Sequence, residues 1–209
     1  MPFADLDAVT VDGYGTLLEL TDPASALAAA LAEAGVTRTR EEVGAAFVAE
    51  ARYYRPRSHL GRDRASLAEL RLECVRVFLD ALGAELEPEA FVDAFIGSLV
   101  FSPVQGAIET LERLAARARL AVVANWDCSL HEHLERLGLD RFFDAVVTSA
   151  EAGVPKPDPA IFRVALARLY VEPARALHVG DETADEEGAL AAGMRFLPAP
   201  LAAAFADWP

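Results

Sequence analysis

The stretch Asp-Ala-Val-Thr-Val-Asp-Gly-Tyr-Gly-Thr, residues 7–16, sets both the fold and the place of its chemistry. Its first six residues form a short run rich in β-branched side chains, which is typical of a buried strand. Gly13 and Gly15 predict a tight turn directly after that strand. The turn leaves the carboxylate of Asp12 at the carboxyl end of the strand.

Four further runs have the same character, and helical patterns lie between them. The runs cover 120–125, 144–148, 176–180 and 194–197, and the helical patterns cover about 105–119, 129–137, 159–169 and 184–192. Strands that alternate with helices form a parallel sheet with helices on both faces. The sequence therefore predicts an α/β fold with a Rossmann-like core.

The segment between residues 20 and 102 differs from the rest, because it shows no convincing strand. Four amphipathic helices are predicted there, over about 23–34, 40–54, 64–82 and 88–100. We therefore predict an α/β core domain of residues 1–19 and 103–209, and an all-helical cap subdomain of residues 20–102. Open α/β sheets bind ligands at the carboxyl ends of their strands, so an insert after the first strand is expected to cover that end.

Charge and composition argue against several classes of partner. The chain has 209 residues, of which 53% are hydrophobic, and a formal net charge of −14. Such a chain repels nucleic-acid phosphates, so we expect no nucleic-acid partner. No apolar run approaches the roughly 20 residues that span a bilayer, and residues 1–5 show no signal-peptide pattern. We expect a cytoplasmic protein with no membrane partner and with Cys74 and Cys128 reduced.

Polar side chains follow the predicted strands at the edge where their carboxyl ends meet. They comprise three aspartates, a lysine, a threonine and an asparagine, namely Asp12, Thr16, Asn125, Lys156, Asp181 and Asp185. A parallel sheet brings these ends together in one crevice. The sequence therefore predicts a site that contains three carboxylates and one ammonium.

These motifs, each after a predicted strand, resemble those of the haloacid dehalogenase (HAD) superfamily of aspartate-nucleophile hydrolases. The matching motifs are Asp12-x-x-x-Thr16-Leu17, Asn125 after an apolar strand, Lys156-Pro-Asp-Pro-x-Ile-Phe162 and Gly180-Asp181-x-x-x-Asp185. The resemblance covers essentially the whole chain and includes the position of the helical insert. It implies a HAD-like fold and a hydrolase activity.

The resemblance implies roles for the residues around the nucleophile. Asp12 would attack the substrate and form a covalent aspartyl intermediate that water then hydrolyses. Lys156 would hold both the nucleophile and the transferring oxygens, and Thr16 would hydrogen-bond near Asp12. The backbone N–H of Gly15 and the amide of Asn125 would bind the substrate anion.

A magnesium ion is also implied, because a phosphoryl group brings negative charge toward a carboxylate. By resemblance its ligands would be the carboxylates of Asp12 and Asp181 and the backbone carbonyl of Tyr14. Asp185 would belong to the same metal site, where it would orient Lys156 or a metal-bound water.

Two positions depart from the family pattern and leave three activities open. Tyr14 stands two residues after Asp12, where the family's phosphatases carry an aspartate that protonates the leaving group. A phenol is a poor base at neutral pH, and loss of acid–base help costs about 10²–10⁴-fold in rate. Ala124 stands where a hydroxyl usually contacts the transferring group. The candidates are hydrolysis of a small phosphate ester with Mg²⁺, 2-haloacid dehalogenation with Tyr14 in the catalytic site, and a catalytically weak member that binds a ligand or partner.

The fourth motif favours the first of these activities. Dehalogenases of the family need no metal and carry small polar residues in place of the Gly-Asp pair. Here Asp181 and Asp185 are both present. Carboxylates gathered beside Asp12 repel one another unless a cation balances them, which favours a phosphatase that uses Mg²⁺.

The predicted cap contains a locally positive stretch. Seven arginines lie between Arg38 and Arg64, against four acidic residues. In the predicted loop over 54–62, Arg55, Arg57 and His59 are expected to bind the substrate, since guanidinium groups suit carboxylates and phosphates. A solvated face with surface ion pairs is the alternative. The expected partner is a small anionic metabolite, and the protein is expected to be a monomer or a homodimer.

Lys156 also stands out in the composition. Of the 19 basic residues it is the one lysine, and the other 18 are arginines. A lysine offers a compact ammonium on a flexible stem, whereas an arginine offers a planar fork. A lysine at this position in an arginine-rich chain therefore supports the assignment of Lys156 to the site.

Overall fold

The computed structural model describes residues 5–208. Its first strand, Ala8–Val11, lies at the centre of a five-stranded parallel sheet. Across residues 5–208 the strands are β1 (Ala8–Val11), β2 (Leu18–Leu20), β3 (Phe101–Pro103), β4 (Arg119–Ala124), β5 (Ala145–Thr148), β6 (Ala176–Gly180) and β7 (Arg195–Pro198). The sheet order is β5-β4-β1-β6-β7, and all four pairings are parallel. Residues 1–4, on which most of the signal-peptide expectation rests, lie outside the described residues.

The helices divide between two units. They are α1 (Pro23–Glu33), α2 (Arg40–Tyr54), α3 (Arg64–Leu82), α4 (Pro88–Gly97), α5 (Ala107–Ala115), α6 (Leu130–Arg136), α7 (Ser149–Ala152), α8 (Pro159–Leu169), α9 (Thr183–Ala191) and α10 (Leu201–Ala204). The α/β unit comprises Met1–Glu19 with Pro103–Pro209, and the helical unit comprises Leu20–Ser102. Short 3₁₀ helices lie at Arg55–Leu60, Asp140–Phe142 and Pro173–Arg175.

Helices cover both faces of the sheet in the α/β unit. Ala121 and Val123 of β4 pack in one cluster with the apolar side chains of α8 and α9. Leu120 and Val122 alternate with them, point to the other face and are equally buried, and α5 contacts the same strand. Strands buried on both faces are expected to be nearly continuous apolar runs, as residues 120–124 of β4 are. The predicted fold class is confirmed.

The register of the sheet places the ends of β1, β4 and β6 at the same edge. Val11 is the partner of Val122 on one side and of Val179 on the other. Asp12, directly after β1, therefore lies beside Gly180, the last residue of β6. This alignment brings the motif that begins at Asp12 next to the motif that begins at Gly180.

The helical unit has its own core, formed by leucine, valine and phenylalanine side chains from α1 to α4. The prediction that residues 20–102 contain no strand is wrong at the two ends of this segment. Leu20 ends β2 and Phe101 begins β3, and these two strands pair with each other. The predicted loop over 54–62 is also largely helical, since Arg55–Leu60 is a 3₁₀ helix. In residues 5–208 no helix combines the length and the apolar composition that crossing a bilayer requires.

An ionisable side chain lies in the apolar stripe of α2. Glu50 follows Val43 and Ala46 at helical spacing, and all three are buried. Burial raises the pKa of the Glu50 carboxyl to about 7, although a hydrogen bond with the Cys74 side chain opposes the shift. The folded helical unit therefore holds a proton that an unfolded chain would release near pH 4.5.

We expect the free energy of unfolding to fall as pH rises from about 4.5 to about 7, by up to about 3 kcal/mol from Glu50. The sign follows because the folded chain keeps this proton over that window and the unfolded chain does not. Glu50→Gln keeps the shape without the titration, so its stability gain over the native chain should grow between pH 5 and pH 8 in urea unfolding. The exposed Glu69→Gln on α3 is the control. An equal gain at both pH values would contradict the assignment.

Candidate active site

Lys156 lies at the centre of a buried cluster in the α/β unit, in the loop between α7 and α8. Its ammonium donates to the carboxylates of Asp12 and Asp185 and to the backbone carbonyl of Val123, the last at 3.1 Å. An ammonium has three N–H donors, and all three find acceptors here. The residue is 7% exposed, so these contacts replace water almost completely.

Two opposite effects act on the charges of this cluster. Burial raises the pKa of the Asp12 carboxyl to about 7, Lys156 opposes this, and the carboxylates of Asp185 and Asp181 add to it. Burial also disfavours the charged forms of Asp185 and Lys156. The hydrogen bond from His178 and the Lys156 ammonium nevertheless hold the pKa of Asp185 below its usual range, and the two carboxylates hold the pKa of Lys156 above its own.

The same cluster fits a divalent cation. Asp12, Asp181 and Asp185 each offer a carboxylate oxygen, and these oxygens lie within 4.8 Å of one another. One ammonium balances only part of the charge of three carboxylates. Oxygen ligands with excess negative charge are the donor set that Mg²⁺ prefers. The residues present therefore fit the predicted magnesium ion. That the Tyr14 backbone carbonyl is a further ligand stays a prediction.

The three carboxylates are not equivalent. Asp185 is 1% exposed; its Oδ1 accepts from Lys156 and His178, and its Oδ2 accepts from the backbone N–H of Glu182 at 3.0 Å. Asp181 is exposed. Asp185 is thus placed to orient Lys156, and Asp181 is the more accessible oxygen donor.

Two glycines make room for these carboxylates. A Cβ on Gly15, whose φ is +89°, would lie 2.5 Å from an oxygen of Asp181. A Cβ on Gly180 would collide with the carboxyl carbon of Asp185. The glycine of the Gly-Asp motif is therefore required by packing within the site. The predicted anion contact of Gly15 is wrong, however, because its N–H donates to the carbonyl of Leu18 at 2.8 Å and so closes the turn.

Thr16 and Asn125 both lie at the site. The Thr16 hydroxyl donates to Asp181 at 3.2 Å, next to Asp12. The Asn125 amide accepts from the Lys156 N–H at 2.7 Å and donates to the Lys156 carbonyl at 3.1 Å. Asn125 therefore fixes the backbone of the lysine loop, and its contact with the substrate stays a prediction.

The two departures from the family pattern both lie at the edge of this cluster. Tyr14 is 42% exposed and forms a bridge with Leu18 next to the turn. Ala124 is buried at the end of β4, where a Cβ on Gly13 would approach its methyl group to 3.0 Å. The turn after β1 thus packs directly against position 124.

The predicted substrate residues of the insert can be described within the helical unit. The Arg57 guanidinium lies over the Tyr53 ring, 4.1 Å from its centroid, and donates to the Tyr53 carbonyl at 3.0 Å. His59 is half-buried, and its Nδ1 has no hydrogen-bond partner among the described residues. Arg55 is exposed. The Arg57 guanidinium is thus partly engaged by the preceding helix α2, and the role of all three residues in binding substrate stays a prediction.

Sequence reasoning missed a buried extension of the cluster. The buried His178 contacts both Asp185 at 3.1 Å and Thr10 at 2.8 Å. Thr10 and His178 are register partners in β1 and β6. The sequence does contain a signal for this contact. Thr10 and His178 are polar residues inside two apolar strands, and they precede the motif residues Asp12 and Gly180 by two positions each.

The chain matches the family model of haloacid dehalogenase-like hydrolases over residues 6–193. It is 46% identical over 119 residues to mouse haloacid dehalogenase-like hydrolase domain-containing protein 3, covering 54% of this chain and 47% of that protein. It therefore spans about half the length of the curated relatives it matches first. It is 33% identical over 138 residues to pyrimidine 5'-nucleotidase YjjG of Escherichia coli, covering 63% and 61% of the two chains.

A solved structure of a haloacid dehalogenase is also similar to this chain. The L-2-haloacid dehalogenase from Xanthobacter autotrophicus superimposes with a TM-score of 0.69 at 27% identity, over 91% of this chain and 76% of that one. The proteins that this chain resembles thus include both a nucleotidase and a dehalogenase. The family model covers most of the chain, and the chain belongs to the haloacid dehalogenase superfamily of hydrolases.

Proposed function

We propose that this chain is a Mg²⁺-dependent phosphatase that acts on a small phosphate ester. The observation that carries the proposal is Lys156, whose ammonium lies between Asp12 and Asp185 with Asp181 beside them. A transferring phosphoryl group needs a nucleophile, a cation at its oxygens and neutralisation of its charge. Asp12 is the nucleophile and Lys156 is the cation. The three aspartates are the ligands for a Mg²⁺ that would neutralise the remaining charge. The similarity to a nucleotidase supports the same reaction class.

In this mechanism an oxygen of Asp12 attacks the phosphorus, and the bond from phosphorus to the ester oxygen breaks. The leaving alkoxide takes a proton from solvent, since position 14 carries no carboxyl group. Lys156 holds the Asp12 carboxylate in place and faces the transferring oxygens. A bound Mg²⁺ would supply positive charge to the same oxygens. Water then attacks the phosphorus of the aspartyl phosphate, which releases phosphate and restores Asp12.

A panel of phosphate esters with and without Mg²⁺ tests this proposal, with phosphate release as the measurement. The native chain should turn over at least one ester in a Mg²⁺-dependent way, and Asp12→Asn should not. The isosteric amide keeps the shape of the site but is not a nucleophile. Equal phosphate release by the two proteins on every ester would overturn the proposal.

2-Haloacid dehalogenation is the second candidate, and Tyr14 favours it. A halide leaves without a proton, so the missing carboxyl group costs this reaction nothing. The likeness to the Xanthobacter enzyme is consistent with it, whereas the carboxylates of Asp181 and Asp185 weigh against it. Halide release from 2-haloacids in the presence of a chelator would favour this candidate over the phosphatase.

The amino-acid composition and charge of the chain also suggest its ligand class, compartment and partners. We place a small anionic metabolite in the site and the protein in the cytoplasm, where its two cysteines, neither of which is in a disulfide among the described residues, would stay reduced. Nucleic acid and membrane are not among the proposed partners, and a monomer or homodimer is the proposed assembly. Size-exclusion chromatography with light scattering measures the last of these directly.

A further inference from the structure

A polar pair lies inside the apolar layer between the sheet and the helices α8 and α9. Thr10 of β1 and His178 of β6 are register partners, and neither is exposed to solvent. Their strand neighbours Ala8 and Ala176 point to the same face and belong to the apolar cluster there. The rings of His178 and Phe162 are nearly perpendicular, with 4.9 Å between the ring centroids. A polar pair in such a layer lowers stability unless its hydrogen bonds are satisfied.

The two ring nitrogens of His178 have different partners. A carboxylate only accepts hydrogen bonds, so Nε2, which lies 3.1 Å from Asp185 Oδ1, is the nitrogen that donates to it. Nδ1 lies 2.8 Å from the Thr10 hydroxyl. His178 therefore links Thr10 to Asp185.

The same oxygen of Asp185 also accepts from Lys156, which in turn donates to Asp12. Rotation of the Asp185 carboxylate would move the acceptor that orients the ammonium. The N–H of Glu182 holds the other oxygen at 3.0 Å, and His178 contacts the oxygen that Lys156 shares. Outer hydrogen bonds of this kind commonly fix the ligands and charged groups of a metal site.

We propose that Thr10 and His178 are positioning residues, which hold Asp185 in the orientation that Lys156 and a divalent cation require. Neither touches the reacting atoms; Thr10 acts through His178, and His178 acts through Asp185. The proposal rests on the proposed function for its kinetic consequences. Its consequence for cation binding is independent of any substrate.

Four variants separate positioning from packing. His178→Leu removes both hydrogen bonds, and His178→Gln keeps an amide N–H near the position of Nε2. Thr10→Val removes the hydroxyl alone. Thr110→Val is the matched control, because Thr110 is a buried threonine of the same unit. Its hydroxyl donates at 2.8 Å to the carbonyl of Gly106, the residue before α5.

We expect His178→Leu to lower kcat and to weaken Mg²⁺ binding, measured by calorimetry without substrate, each by about 10–100-fold. KM should change less than twofold. Thr10→Val should lose about threefold to tenfold, as one neutral hydrogen bond predicts. His178→Gln should recover most of the loss, and Thr110→Val should match the native chain. Adding Thr10→Val to His178→Leu should cost nothing more, since one residue acts through the other.

Native-like kcat and Mg²⁺ affinity in a folded His178→Leu variant would overturn the proposal. So would losses in Thr10→Val no larger than those in Thr110→Val, and this comparison decides the matter if His178→Leu does not fold. Should the native chain hydrolyse no ester, the proposed function fails, and the calorimetric comparison still tests the two positioning residues.

Discussion

Lys156→Arg is expected to reduce turnover to the background of Asp12→Asn, although the substitution keeps the positive charge. The ammonium of Lys156 meets three acceptors that surround it in a space 7% exposed to solvent. A planar guanidinium is larger and directs its donors in a fork, so it cannot meet the same three acceptors. Loss of one well-placed cationic donor at a reacting oxygen costs about 10²–10³-fold, and here the nucleophile is displaced as well.

The loss must be separated from unfolding, because a larger side chain in a packed site also costs about 1–3 kcal/mol of stability. Thermal unfolding and Mg²⁺ calorimetry of the variant show how much of the protein is folded and binds the cation. Arg168→Lys, at an exposed position in the same unit, is the control for exchange of the two basic side chains and should stay within twofold of native. Retention of more than a tenth of native kcat by folded Lys156→Arg would show that charge alone suffices there.

The sheet could be predicted because its strands are short apolar runs rich in β-branched residues, which alternate with helical patterns. The run 176–180 is a strand over those same residues, and Pro159–Leu169 is helical from its first-turn proline. β2 and β3 were missed because each has three residues, too few for any periodicity to appear. The 3₁₀ helix at Arg55–Leu60 was missed because its proline and serine favour loops equally well.

The site could be predicted as a set of residues but not as a set of contacts. Strand register alone brings Asp12 beside Gly180, so the membership of the cluster follows from topology. The partner of each side chain depends on rotamers and turn geometry. Gly15 closes its own turn, Thr16 reaches Asp181, and Asn125 binds the backbone of Lys156. Each of these residue types was expected at the site, and each has a hydrogen-bond partner other than the nucleophile Asp12.

Tyr14→Asp is expected to raise turnover of alkyl phosphate esters by about 10²–10⁴-fold, the usual contribution of a general acid or base. Position 14 follows Asp12 by two residues, is 42% exposed and so accepts a smaller polar side chain without leaving a cavity. A carboxyl group there would protonate the alkoxide as it leaves and then activate the attacking water. An alkoxide is strongly basic and needs this proton, whereas a nitrophenolate does not.

The comparison of alkyl and nitrophenyl esters therefore carries the test. Acid catalysis predicts a large gain for the alkyl ester and a small one for the nitrophenyl ester, so the ratio of the two rates should change and not merely their level. Tyr14→Phe is the control, because it keeps the ring and removes the hydroxyl; turnover within threefold of native would show that the phenol is not the acid in the native chain. An equal gain on both esters in Tyr14→Asp would instead mean that the smaller side chain opens the site. If Tyr14→Phe abolished turnover, the phenol itself would be the proton donor, and position 14 would be catalytic in its native form.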